Sequence, residues 1–293
     1  MNILTGFADE AAPDIAGQIR ATQELGWNNI EARAVNGTNL HDLGDAEFDA
    51  VYGALADAGI HVNCFGSAIA NWARDLRTVP FDTDLAAAKR AVVRMKRLGT
   101  KLIRIMSYPV LKDADGRASA DQMAEERIRR LNILVPMFTA EGLLPVHENC
   151  GNYGGMSWKH TLELLERVPG MKLVYDTGNP VFTDDFLAAD PTAQKQSSWD
   201  FYNHVKDHVA YVHIKDGVDK DGKTAFCWPG DGDGDVRRIC ADLLARGYAG
   251  GFSIEPHMQS VPHEGKISTD EEAKLATYVE YGRRMEKLLA ELR

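Results

Sequence analysis

The sequence predicts an α/β protein, a (β/α)8 barrel forming a single domain over residues 1–293. Eight short apolar or β-branched runs recur along the 293 residues, and polar turns and amphipathic stretches lie between them. This is about 37 residues per unit, the size of one β/α repeat. The runs are apolar throughout rather than alternating, as expected of parallel strands buried on both faces. The alternative, an open doubly wound sheet, calls for a glycine-rich turn after an early strand. The first turn here, residues 7–10, is acidic.

The elements follow in chain order, with no linker that would divide the chain. Strands are predicted at Ile3–Ala8, Asn29–Arg33, His61–Phe65, Leu102–Met106, Leu144–Glu148, Leu173–Asp176, Ala210–Ile214 and Gly251–Glu255. Helices are predicted at Ile15–Leu25, Glu47–Ala58, Asp84–Leu98, Ala120–Ala140, Thr161–Arg167, Val236–Ala245 and Asp270–Leu292. Several end just before a glycine, a common residue after a helix C-terminus. Thr183–His208 is the least regular unit, a long loop with Trp199–His208 as its helix.

The composition limits the classes of binding partner and the cellular compartment that we expect for this protein. The formal charge of −10 disfavours non-specific binding to nucleic acid or to an anionic membrane. The chain has no apolar stretch of about 18–20 residues that could span a bilayer, and its N-terminal residues do not resemble a signal peptide. Four widely spaced cysteines without a C-x-x-C pair argue against a zinc ribbon and a disulfide framework. We therefore expect a cytoplasmic protein whose partners are small molecules.

The last four predicted strands each finish at an acidic residue or a histidine, namely Glu148, Asp176, His213 and Glu255. In a (β/α)8 barrel the C-terminal strand ends meet at one mouth, where active sites are built. Three carboxylates and an imidazole crowded there repel unless protons or a cation neutralise them. Three oxygen ligands and one nitrogen suit Mn2+, Mg2+ or Co2+. One such residue alone is typical of a solvated loop or a helix cap, but four in succession indicate a divalent-metal site.

These strand ends also resemble a known family, the xylose isomerase-like TIM barrels of the sugar phosphate isomerase/epimerase group. The resemblance spans nearly the whole chain. It rests on His-Glu148-Asn, Tyr-Asp176-Thr-Gly-Asn, Val-His213-Ile-Lys-Asp and Ser-Ile-Glu255, together with the glycine-rich loop 228–234.

The resemblance implies a metal-dependent isomerase or epimerase of a sugar or keto-sugar. Glu148, Asp176, His213 and Glu255 would bind one divalent metal, with Mn2+ favoured over Mg2+ or Co2+. The metal would hold a carbonyl and a neighbouring hydroxyl oxygen and stabilise the enediolate left after proton removal. Glu148 and Glu255 would remove and return that proton. Such barrels often self-associate, so a homo-oligomer or a partner subunit remains open.

The chain departs from the ketose 3-epimerases at positions that contact substrate. Asn179 stands where those enzymes have a histidine, and Lys215 lies near the position of their arginine. Substrate recognition is therefore expected to differ, with Asn179, Lys215 and His257 as candidate substrate-binding residues. Trp228 is a further candidate for stacking on a sugar ring, and simple packing is its equal alternative.

Two other functions stay open at this point. The alternative enzyme is a 3-keto-glycoside lyase, in which the same proton abstraction leads to β-elimination of the aglycone. A non-catalytic binding protein would hold metal or sugar without exchanging a substrate proton. A DNA-repair endonuclease is disfavoured because it would need more histidines at the mouth and a basic groove.

Overall fold

The computed structural model describes residues 2–220, 222–261 and 266–293, and its centre is an eight-stranded parallel sheet. The strands are β1 Ile3–Gly6, β2 Asn29–Ala32, β3 His61–Gly66, β4 Leu102–Ile105, β5 Leu144–Glu148, β6 Lys172–Asp176, β7 Val209–Ile214 and β8 Gly251–Ile254. Their spatial order is β1-β8-β7-β6-β5-β4-β3-β2, so the first strand pairs with the last. An isolated parallel bridge between Phe7 and Glu31 joins the two ends of the sheet. The predicted (β/α)8 barrel is confirmed.

Helices lie between the strands and cover the outside of the barrel. They are α1 Ile15–Glu24, α2 Asp45–Asp57, α3 Asp82–Leu98, α4 Ala124–Thr139, α5 Trp158–Arg167, α6 Ser198–Val205, α7 Val236–Ala245 and α8 Glu271–Glu291. A one-turn helix, Asn179–Phe182, opens the connection between β6 and α6. Within the described ranges, none of the helices combines the length and the apolar composition that crossing a lipid bilayer requires.

Two helices begin three or more residues away from the predicted start, and local hydrogen bonds explain both differences. The expected start of α4 was Ala120, but the Gln122 side chain bonds both backbone groups of Leu111 and holds this segment in the preceding loop. The expected start of α5 was Thr161. The helix begins three residues earlier because the Ser157 hydroxyl accepts the backbone N–H of His160 as an N-cap.

The connections that follow the C-terminal strand ends carry short antiparallel hairpins. These are Ala34–Val35 with Thr38–Asn39 after β2, Gly217–Lys220 with Lys223–Phe226 after β7, and Ser260–Val261 with Lys266–Ile267 after β8. They surround one end of the barrel, while an apolar core fills the space between strands and helices. The C-terminal strand ends, where (β/α)8 barrels carry their active sites, therefore lie at the hairpin end.

Candidate active site

The interior of the barrel changes from apolar to ionisable along β5, β6 and β7. A small apolar cluster inside the barrel includes Val146, Val174 and Tyr211. Because strand side chains alternate between faces, the residue two positions later points to the same interior. Those residues are Glu148, Asp176 and His213. Glu255 joins them from the end of β8, where its N–H donates to the carbonyl of Ile214 at 3.0 Å.

The four predicted metal ligands converge. Each offers one ligand atom, and these atoms all lie within 4.8 Å of one another. From His213 Nδ1 the distances are 3.7 Å to Glu148 Oε1, 4.0 Å to Asp176 Oδ2 and 3.9 Å to Glu255 Oε2. All four side chains are buried. The arrangement is a compact cluster of three oxygens and one nitrogen at the barrel mouth.

A carboxylate on β2 orients the imidazole of His213. His213 Nε2 lies 3.0 Å from Glu31 Oε2, which also accepts a 2.7 Å hydrogen bond from Ser253. Burial alone would lower the pKa of His213, but the neighbouring carboxylates outweigh it and raise the pKa to about 10. With Nε2 engaged by Glu31, Nδ1 faces the centre of the cluster.

The donor set fits a divalent cation. Among the described residues, Asp176 Oδ2 and His213 Nδ1 are buried side-chain atoms with no hydrogen-bond partner. Buried polar atoms are normally hydrogen-bonded. Lys215 Nζ lies 2.9 Å from Asp176 Oδ2 as an ion pair, so both atoms keep a free hydrogen-bonding position toward the centre of the cluster, which fits a bound cation. Three oxygens and one imidazole nitrogen suit Mn2+, Mg2+ or Co2+ more than an ion that prefers thiolates. Imidazole held by a carboxylate on its other nitrogen is also a common arrangement at metal sites.

Buried cations flank the same carboxylates. Arg104 Nη1 lies 2.9 Å from Glu148 Oε2, and Arg33 Nη1 lies 3.1 Å from Glu255 Oε1. Burial alone would raise the pKa of Glu148, but the charges of Arg104 and His213 outweigh burial and lower this pKa to about 2. Burial instead dominates at Asp176 and raises its pKa to about 6. Glu148 is thus held ionised at neutral pH by its arginine.

A second acidic and histidine group, formed by Glu10, Glu255 and His257, has its atoms engaged by other partners. Glu10 Oε2 accepts the backbone N–H of His257, and Glu10 Oε1 lies 2.8 Å from His257 Nδ1. The Arg33 guanidinium also lies 3.4 Å from Glu10 Oε1. Both oxygens of Glu10 are therefore already engaged by His257 and Arg33, and this group brings only three residues together, against four in the first cluster.

A cavity of about 390 Å³ opens onto the cluster. Glu148 and Glu255 line it, and so do three of the predicted substrate-binding residues, Asn179, Lys215 and His257. Asn179 Nδ2 donates to Glu148 Oε1 at 3.1 Å. The two candidate bases and these polar side chains therefore share one chamber.

Trp228 is not among the described residues that line this cavity. Its ring packs at 6.1 Å from the ring of Tyr281, and the Arg284 guanidinium lies over it at 4.3 Å. This contact with α8 is the packing alternative that the sequence left open, and stacking of Trp228 on a sugar ring stays a prediction. A different indole, Trp72, lines the cavity from the segment after β3 and is 40% exposed.

The glycine-rich loop after β7 is tied down by one carboxylate. Asp216 accepts backbone N–H bonds from Gly217 at 2.9 Å, Gly230 at 2.8 Å, Gly232 at 3.1 Å and Gly234 at 2.9 Å. A Cβ at Gly232 would lie 2.4 Å from Asp216 Oδ1, so this approach requires glycine. The glycine-rich loop predicted from the sequence is thus bound to Asp216, the residue that follows Lys215.

Several site residues carry no strong signal in the sequence. Glu31 and Arg33 lie two positions apart in the predicted strand Asn29–Arg33 and would share a face, which indicates a pocket pair or an interior ion pair but does not identify a partner. Glu10 lies in an acidic turn, and Trp72 in an irregular segment. The only sequence signal for the last two is their proximity to a predicted strand end.

Comparison with known proteins gives a consistent result for the fold. The profile of the family described as "Xylose isomerase-like TIM barrel" matches residues 19–279. A structure of a protein of that description from Mycobacterium smegmatis, in complex with magnesium, has a TM-score of 0.70 at 16% identity, with 98% of this chain and 97% of that chain covered. No curated protein sequence matches the chain.

Two sugar epimerases are also among the similar structures. L-ribulose 3-epimerase has a TM-score of 0.70 at 17% identity, with 100% of this chain and 96% of that chain covered. The 3-keto-D-glucoside 4-epimerase from E. coli has a TM-score of 0.61 at 16% identity, with 94% and 100% covered. At these identities the likeness shows the shared barrel.

Proposed function

Since the chain belongs to the xylose isomerase-like TIM barrel family, we propose that it is a divalent-metal-dependent isomerase or epimerase of a sugar or keto-sugar. The reaction removes a proton from the carbon next to a carbonyl and returns it to change configuration or carbonyl position. The observation that carries the proposal is the buried cluster of Glu148, Asp176, His213 and Glu255, in which two atoms without a hydrogen bond face the centre. The structures of sugar epimerases with the same barrel support it.

The four ligands would hold one divalent cation, with Mn2+ favoured and Mg2+ or Co2+ as alternatives. Bound there, the cation would stabilise the negative charge that develops on the substrate's carbonyl and adjacent hydroxyl oxygens. Burial matters as well, because a dry site strengthens every electrostatic interaction with that charge.

In this proposal Glu148 and Glu255 remove and return the proton. Each has one oxygen facing His213 Nδ1 and another beside an arginine, Arg104 for Glu148 and Arg33 for Glu255. The charge of Arg104 lowers the pKa of Glu148, and the charge of Lys215, with smaller contributions from His257, His213 and Arg33, lowers the pKa of Glu255. Both carboxylates are thus ionised, as a proton acceptor must be. The two glutamates come from β5 and β8, with β6 and β7 between them, so they approach a bound carbon from different sides.

Substrate hydroxyls would be bound by the polar side chains of the same cavity. Asn179, Lys215 and His257 offer hydrogen-bonding groups of different kinds, and Trp72 adds an aromatic surface at the wall. Glu10 holds His257 by two contacts, which limits the directions its ring can take. A sugar or keto-sugar presents several oxygens and suits such a lining.

A 3-keto-glycoside lyase is the second candidate, and the position of His257 favours it. In that reaction a glutamate takes the α-proton. The electron pair of the broken C–H bond forms a carbon–carbon double bond, and the C–O bond to the aglycone breaks, with its electron pair left on the aglycone oxygen. The leaving oxygen needs a proton, and His257, which lines the same cavity as Glu255 with its Nε2 3.7 Å from Glu255 Oε1, would be its donor. The similarity to 3-keto-D-glucoside 4-epimerase supports a keto-sugar substrate for either reaction.

Deuterium exchange tests the proposed function. Mn2+-loaded protein in D2O is incubated with ketoses and 3-keto-glycosides, and NMR follows label at the carbon next to the carbonyl. We expect uptake that EDTA abolishes and that falls at least about 100-fold in E148Q and in E255Q, measured at equal metal occupancy. The control is E272Q, an exposed position in the first turn of α8.

The outcomes separate the candidates. An epimer or isomer as product supports the first reaction, and a released aglycone supports the lyase. Normal turnover in both glutamate variants would exclude the two-base mechanism, and no uptake with any substrate would favour a binding role.

A further inference from the structure

Lys215 reaches the centre of the metal cluster from the end of β7. Its side chain is buried, and its Nζ lies 2.9 Å from Asp176 Oδ2 and 2.9 Å from Glu255 Oε2. These are the same two oxygens that face His213 Nδ1. The ammonium therefore engages two of the three carboxylate oxygens that a metal would need.

The ammonium and a divalent cation cannot both keep these contacts. Two positive centres that share the same pair of oxygens repel strongly in a buried site. The contact with Asp176 is an ion pair without hydrogen-bond geometry, because Asp176 Oδ2 has no hydrogen-bond partner within the described part of the chain. A doubly charged ion gains more from these carboxylates than the ammonium does.

The backbone of Lys215 is fixed, so only the end of its side chain has freedom to move. Thr177 Oγ1 donates to the carbonyl of Lys215 at 2.7 Å and accepts its N–H at 3.2 Å. Gly178 packs against the stem, since a Cβ there would lie 2.8 Å from Lys215 Cγ. Lys215 also lines the cavity that Asn179 and His257 share. The displaced ammonium has that chamber to turn into.

We propose that Lys215 is an exchangeable counter-ion of the metal site. Its ammonium neutralises Asp176 and Glu255 in the metal-free protein, and on metal binding it turns into the cavity and donates a hydrogen bond to a substrate oxygen. The inference rests on the proposed function, because it concerns the same metal site. It couples the two events, since the group that binds substrate becomes available only when the metal is in place.

Metal titration tests this competition without any substrate. Isothermal titration of Mn2+, and separately Mg2+, into metal-stripped protein gives Kd for the wild type, K215M and K215Q. We expect both variants to bind Mn2+ at least about tenfold more tightly, because they lose the competing charge. K195M is the control, since Lys195 pairs with Asp184 away from the cluster, and its Kd should equal that of the wild type. Circular dichroism checks that each variant is folded.

Crystal structures of the wild-type protein with and without Mn2+ provide a second measurement that needs no variant. Lys215 Nζ should lie within ion-pair distance of both carboxylates without the metal and beyond it with the metal. Wild-type metal binding with an equal or weaker affinity in K215M and K215Q, or an unmoved Nζ, would overturn the inference alone. Absence of metal binding in every protein would overturn it together with the proposed function.

Discussion

Glu31 illustrates how one residue outside the proposed ligand set orients one of the candidate metal ligands. Its Oε2 accepts a hydrogen bond from the Ser253 hydroxyl and also lies next to His213 Nε2. One nitrogen of the imidazole is therefore engaged, and the other faces the carboxylates of the cluster. His213 is fully buried, and the rings of Phe7 and Tyr211 lie at 5.0 Å and 5.8 Å from it. The ring is therefore held both by charge and by packing.

We expect E31Q to weaken Mn2+ binding by about 10- to 100-fold while the protein stays folded, because the imidazole loses its anionic partner and becomes a poorer ligand. Isothermal titration gives the Kd, and E272Q controls for loss of one negative charge at an exposed site. An unchanged Kd in E31Q would contradict this role for Glu31.

At the scale of elements, the site depends on loops that the strands hold in place. Asp216 is the second residue after β7, and its carboxylate accepts hydrogen bonds from four backbone N–H groups, those of Gly217 and of the loop glycines 230, 232 and 234. Hydrogen bonds to a charged acceptor are among the stronger ones in proteins. This loop therefore behaves as an extension of the barrel next to Lys215.

We expect D216A to lower the free energy of unfolding by about 3 kcal/mol, since four N–H groups lose a buried acceptor. D216N should lose less, because its carbonyl oxygen still accepts hydrogen bonds. Urea unfolding measures both, with D219N as the control in the adjacent hairpin, where the side chain makes an exposed hydrogen bond to Gly222 N–H. Equal stability of D216A and D219N would show that the Asp216 network contributes nothing.

The elements themselves are largely predictable, and their boundaries less so. All eight strands lie where apolar runs predict them, because a parallel strand buried on both faces needs such a run. The start of α4 differs since Gln122 bonds the loop backbone at Leu111, a contact across eleven residues. The local sequence pattern indicates which face of a helix is apolar, but side-chain hydrogen bonds to distant backbone groups decide where the helix begins.

For the whole molecule, closure of the ring brings together residues that are remote in sequence. The proposed ligands come from four successive strands, β5 to β8, and meet only when the barrel is formed. Binding to such a site stabilises the folded state over the unfolded chain, which has no preformed site.

We therefore expect Mn2+ at one hundred times its Kd to add about 2.7 kcal/mol to the stability of the folded protein and to raise Tm by roughly 5 °C. EDTA should reverse the shift, and D176N, which lacks one ligand charge, should show much less of it. Differential scanning calorimetry is the measurement. A Tm that does not respond to Mn2+ in the wild type would count against a metal site built from these four strands.

The sequence by itself determined the barrel, the family resemblance and the convergence of Glu148, Asp176, His213 and Glu255 at one mouth. It could do so because strand periodicity and strand ends are local features, and the topology of a (β/α)8 barrel supplies the rest. Only the tertiary structure decided the partners of these residues. Arg33 meets Glu255 across 222 positions of the chain, and Lys215 takes two carboxylates from different strands. Such pairings depend on the closed ring and on which side chains point inward, so no local pattern encodes them.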